Sequence, residues 1–132
     1  MLPDCRKNDV PLFHITEKKN IPSIIKKGLL TSKMDLEAIS ELRYDFIRYD
    51  NPDYTMEQAR EDVYPVVFAA DKNGVENLSL LESFIDNPVV LGIKYGNECA
   101  DQFYRTEMVS FDEFVSESDI APQCLCIVRD WE

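Results

Sequence analysis

Four short apolar runs constrain the fold of this chain more than any other feature. They are "VPLFHIT" (10–16), "YPVVFAA" (64–70), "PVVLGIKY" (88–95) and "PQCLCIVRDW" (122–131). Each is apolar or alternating over strand length, and "FYRTEMVSF" (103–111) alternates in the same way, so all five read as strands. Helical patterns fill the early half. Asn20 can cap a helix that begins at Ile21 and Pro22, places Ile21, Ile24 and Ile25 on one face and stops at Gly28. In "MDLEAISELRYDFIRYD" (34–50) apolar residues recur near 3.6-residue spacing at Leu36, Ile39, Leu42 (or Arg43), Phe46 and Ile47, an amphipathic helix. Thr55 with Gln58 three residues later is a capping-box pattern that opens another short helix. "DKNG" (71–74) reads as a turn, and "VENLSLLESFI" (75–85) as a helix with Val75, Leu78, Leu81 and Ile85 in register. Strands late, helices mostly early and short connections predict an α+β fold rather than a doubly wound parallel sheet.

The chain of 132 residues has no repeat, linker or low-complexity segment, so a single domain over 1–132 is expected. No apolar run approaches the roughly 18–20 residues that span a bilayer, which leaves no membrane role. The N-terminal "MLPDCRKNDV" lacks the apolar stretch of a signal peptide. Cys5, Cys99, Cys124 and Cys126 form no C-x-x-C pair, and one histidine cannot complete a zinc site, so no metal is expected and the cysteines read as reduced thiols. Cys124 and Cys126 in particular read as small core residues on one face of the last strand. Together these readings predict a cytoplasmic protein. Twenty-five acidic against 14 basic residues give a net charge of −11. That disfavours broad binding to phosphate backbones and favours a basic protein among macromolecular partners. No G-x-G-x-x-G or G-K-[ST] loop is present, which removes a standard dinucleotide or P-loop site.

The only histidine, His14, ends the first apolar run beside Thr16. "FHIT" (13–16) followed by "NIPSIIKKGLL" (20–30) resembles the opening of ADP-ribosyltransferase-fold proteins, in which a strand ends in His-x-Thr and a short helix follows. The likeness extends to the DNA-targeting toxin transferases, the tRNA 2′-phosphotransferases and the poly-ADP-ribose polymerases. "VVFAAD" (66–71) resembles the family's middle strand, and "TEMVSF" (106–111) with "IAPQCLCIV" (120–128) its closing segment. These segments cover most of the chain outside 31–62.

The resemblance implies a split, mostly antiparallel sheet with flanking helices and NAD as co-substrate, bound across the split. It implies that His14 orients a ribose with Thr16 assisting, and that Glu107 is the catalytic carboxylate. A fixed negative charge suits that task because the ribose becomes oxocarbenium-like as nicotinamide leaves. Two residues before Glu107 stands Arg105, where arginine-modifying relatives carry Glu or Gln, so arginine is not the expected acceptor. Where the polymerase branch has a tyrosine against nicotinamide this chain has Val67, leaving Phe68 to supply an aromatic face, with Tyr64 and Tyr104 as alternates. The toxin-like branch adds an arginine after the first helix; Arg48 and Arg43 are the favoured positions and Arg60 is available. The expected function is transfer of ADP-ribose from NAD to a protein or nucleic acid. The alternative is a transferase-like fold without turnover, acting as a toxin-related or phage-encoded protein-binding module.

Overall fold

The computed structural model describes residues 1–6, 9–72, 87–106 and 113–128. Glu107 and the helix expected over 75–85 lie outside them. Within them the fold is α+β. Six strands, β1 (Leu12–Glu17), β2 (Val67–Ala70), β3 (Pro88–Ile93), β4 (Tyr104–Thr106), β5 (Glu113–Ser116) and β6 (Leu125–Ile127), form one sheet in the order β4-β5-β2-β1-β3-β6. Every pairing in it is antiparallel. Three helices, α1 (Ile21–Lys27), α2 (Leu36–Ile47) and α3 (Met56–Asp62), come between β1 and β2.

The centre of the sheet is uneven. β1 pairs with β3 along its whole length, from Leu12 opposite Ile93 to Glu17 opposite Pro88. With β2 it pairs at one position, Phe13 opposite Ala70. Past that point the two strands part, and the core divides with them. Residues opposite one another in an antiparallel ladder share a face. One face carries Leu12, Val67, Ala69, Leu91, Ile93 and Leu125 into a cluster with Ile24 of α1, Leu29 and Ile120. The other carries Phe68 and Val115 into a smaller cluster with Val63, Val66, Met34 and Ile39 of α2.

Local chemistry sets most element ends. Thr55 and Gln58 exchange both bonds of the capping box at the start of α3. Asp35 caps α2 by accepting from Ala38 N–H at 3.1 Å. Asn20 does not cap α1 with its side chain; its Nδ2 donates back to Thr16 Oγ1 at 3.1 Å. Gly28 ends α1 at φ 79°, in the left-handed region, and a Cβ there would lie 1.9 Å from Ile120 O. That close approach lets Leu29 and Ile120 exchange backbone bonds of 2.9 and 2.8 Å. Tyr54 OH donates to Asp62 at 2.8 Å and accepts from Arg43 Nε at 3.0 Å, pinning the turn between α2 and α3.

Three readings need correction. The apolar positions Leu36, Leu42 and Phe46 do not form the packed face of α2: all three are exposed, while Ile39, Ser40, Arg43, Tyr44 and Ile47 turn inward. Apolar residues circle most of this helix, so periodicity left two faces to choose between. The expected last strand is three residues long, preceded by a 3₁₀ turn at Pro122–Cys124, whereas the strand expected over 103–111 forms at Tyr104–Thr106 and its residues 107–111 lie outside the described ones. Nor are the cysteines reduced, since Cys5 is bonded to Cys126 and Cys99 to Cys124. Pairing of β6 with β3, and a parallel bridge between Asp4 and Ile127, bring together thiols that lie 121 positions apart in the chain. Gly92 on β3 makes room for the first bond, because a Cβ there would meet Cys5 Sγ at 2.6 Å and Cys126 Sγ at 2.8 Å. The reduced-thiol premise of the cytoplasmic expectation therefore does not hold. Among the described residues no helix is long and apolar enough to cross a membrane.

Candidate functional site

A cavity of about 420 Å³ opens where β1 and β2 part. Its lining draws on both core clusters, Ile24, Leu29 and Val67 from one and Met34, Ile39, Val66 and Phe68 from the other. Division of the core is thus what makes the space. Onto these apolar walls β1 projects His14 and Thr16, two residues apart and therefore on one face of the strand. Asn20 and Ser23, at and just inside the start of α1, add an amide and a hydroxyl, and Lys33 and Asp35, before α2, add one charge of each sign. An apolar cavity of this size with a few convergent polar groups is the usual form of a small-molecule site.

His14 bridges the parting. Its Nδ1 donates to Phe68 O at 2.6 Å, tying β1 to β2 beyond their last backbone pair. A carbonyl can only accept, so Nδ1 carries the proton and Nε2 is left as the acceptor of the neutral ring. Burial lowers the pKa of His14 below its ordinary 6.5, and the bond to Phe68 O offsets this only in part. The ring thus stays neutral at physiological pH and offers a ligand a hydrogen-bond acceptor. Thr16 is buried, and its hydroxyl oxygen accepts from Asn20 Nδ2, which fixes the amide against the strand.

Of the residues singled out from sequence, His14, Thr16 and Phe68 come together in this cavity. Tyr104 and Arg48 are not among its lining residues. Tyr104 OH lies 2.8 Å from Tyr64 OH, and that bond, with burial second, raises its pKa. Arg48 follows α2, paired with Asp45 at 3.1 Å and stacked 5.1 Å over Tyr44. Arg43 pairs with Asp62 at 3.6 Å and Arg60 with Glu37 at 2.9 Å. The charged residues that do line the cavity, Lys33 and Asp35, come from the connection between Leu30 and α2, where the sequence carries no motif. Asn20 and Ser23 belong to the "NIPS" stretch, whose helix-starting chemistry masked their part in the site. A further carboxylate, Glu113 on β5, stands opposite Ala70, which stands opposite Phe13. That row puts it on the sheet face opposite His14.

Comparison with known protein families, curated proteins and solved structures returns no match.

Proposed function

We propose that the chain binds NAD in the cavity between β1 and β2 and transfers its ADP-ribose to a macromolecular acceptor, as the resemblance to ADP-ribosyltransferases implies. One observation carries the reading: His14 and Thr16, the two residues of the His-x-Thr signature, line one cavity at the parting of an antiparallel sheet, with Phe68 on its opposite wall. The chemistry of the lining fits the ligand. Ribose hydroxyls are donors, and His14 Nε2 is an acceptor held in place by Phe68 O. Apolar residues such as Ile24, Met34 and Val67 suit an uncharged leaving nicotinamide, and Lys33 suits a phosphate. Glu107, outside the described residues, is the proposed carboxylate. In the reaction the bond from ribose C1′ to the nicotinamide nitrogen breaks with its electron pair going to nicotinamide. The acceptor nucleophile then bonds to C1′ and gives up its proton.

The test is release of nicotinamide and transfer of label from labelled NAD by the purified protein. Glu107→Gln is expected to bind NAD as before and to lose roughly 10²–10³ in rate, the usual loss when one preorganised charge-stabilising group is removed. Undiminished activity in that variant would remove the mechanism. The second reading, binding without turnover, is favoured by the placement of Tyr104 and Arg48 away from the cavity. NAD left intact with every acceptor tried would favour it instead, as a transferase-like fold that works by contacting a protein partner.

A further inference from the structure

The outer face of α2 has the make-up of a docking surface. Leu42, Phe46 and Tyr49 are 54%, 51% and 90% exposed. Spacings of four and three residues put them in one stripe along the helix and the turn that follows it. Large apolar side chains in solvent at helical spacing are the anchor pattern by which one helix receives another.

The charge around the stripe says what kind of partner fits. Between residues 35 and 62 stand nine carboxylates (Asp35, Glu37, Glu41, Asp45, Asp50, Asp53, Glu57, Glu61, Asp62) and three cations. Arg43, Arg48 and Arg60 are each already held in an ion pair, with Asp62, Asp45 and Glu37. The balance is 9 − 3, an excess of six negative charges. Glu41 and Asp45, both exposed, precede Leu42 and Phe46 on the helix, and Asp50 and Asp53 follow Tyr49. An anionic membrane or a nucleic acid would be repelled by this frame, and so would a second copy carrying the same excess and a net charge of −11.

We propose that α2 docks a basic amphipathic helix of another protein. Apolar residues of that helix would pack on Leu42, Phe46 and Tyr49, and its Lys or Arg side chains would face Glu41, Asp50 and Asp53. Docking of this kind rests on the surface alone and holds whether or not the cavity turns over NAD. It would place the partner across α2 from the cavity, whose lining takes Asp35 and Ile39 from the cap and the inward side of the same helix.

The probe is a synthetic 15-residue helical peptide with leucines along one face and lysines elsewhere. Nuclear magnetic resonance of the full chain should show amide shifts confined to α2 and the turn after it. Affinity should weaken as salt rises. The triple variant Leu42→Ser, Phe46→Ser, Tyr49→Ser should bind about tenfold more weakly or worse while the chain stays folded by circular dichroism, since Leu42 and Tyr49 are mostly exposed and Phe46 is half exposed. A peptide with alanine in place of every leucine should lose binding to the same degree. The proposal is overturned if the leucine peptide does not bind, or if its shifts map elsewhere. Equal binding by the alanine peptide, or by the triple variant, would overturn it too, since charge alone would then account for the contact. Concentration-dependent dimerisation abolished by the triple variant would assign the stripe to a second copy and overturn it as well.

Discussion

At the scale of single residues, His14 holds two functions in one ring. Its Nδ1 proton bonds Phe68 O across the parted strands, and its Nε2 lone pair remains for a ligand. Both depend on the ring being neutral, and burial keeps it so by holding the pKa below 6.5. The consequence for stability has a definite sign. Above pH 6.5 folded and unfolded states both carry a neutral ring. Below it the unfolded chain takes up the proton and the folded one does not, so stability falls as the pH drops from 6.5 toward the folded value. His14→Gln has no such proton to gain. The urea midpoint of the wild type should therefore fall more steeply between pH 7 and pH 5 than that of His14→Gln; equal slopes would show that the ring is not desolvated. His14→Ala should weaken NAD binding, read by calorimetry at pH 7.5, because it removes the proposed ribose acceptor. This residue was legible in the sequence as the one histidine in an apolar run beside Thr16. Lys33 and Asp35 were not, because nothing local marks a loop residue as lining a cavity until the strands on its other side are placed.

Elements were legible where their cause is local. The capping box of α3 requires only Thr55 and Gln58, and it forms. Thr55→Ala should cost about 1 kcal/mol, measurable by urea denaturation. α1 likewise begins at Ile21 and ends at Gly28, but the reason for the glycine is distant: Ile120 O occupies the space of a side chain there. Gly28→Ala combines that clash with a left-handed φ of 79°. It should destabilise by more than about 1 kcal/mol and loosen the bridge between Leu29 and Ile120. Hydrogen exchange of the Leu29 amide, which donates to Ile120 O at 2.9 Å, reports that loosening directly. α2 shows the opposite case. Its inward side includes Ile39, Ser40, Arg43 and Ile47, and its outward side Leu36, Leu42 and Phe46, so hydrophobic spacing alone does not separate the two faces. β5 was missed for a related reason. "EFVS" is short and begins with a carboxylate, and it becomes a strand through pairing with β2 on one side and β4 on the other.

At the scale of the whole molecule, the chain is tied at its closing strand. Cys124 ends the turn before β6 and Cys126 lies within it, and their partners are Cys99 and Cys5. The two bonds differ in what they constrain. One joins residues 121 positions apart and the other residues 25 apart. In the chain-entropy account the longer closure removes more freedom from the unfolded chain, and the ratio of these lengths makes the difference about 1.4 kcal/mol in its favour. Cys5→Ser should therefore melt below Cys99→Ser, by roughly 4–8 °C at about 3–6 °C per kcal/mol for a domain of this size. Reduction of the wild type should lower the melting temperature at least as far as either single variant. None of the four cysteines lines the cavity, so at temperatures where the reduced protein remains folded its affinity for NAD should match that of the oxidised protein. A fall in affinity on reduction, with the fold intact by circular dichroism, would mean that β6 controls the separation of β1 and β2 through β3. The opposite order of melting for the two variants would mean that packing around Gly92 and Cys99, rather than loop closure, decides what each bond contributes.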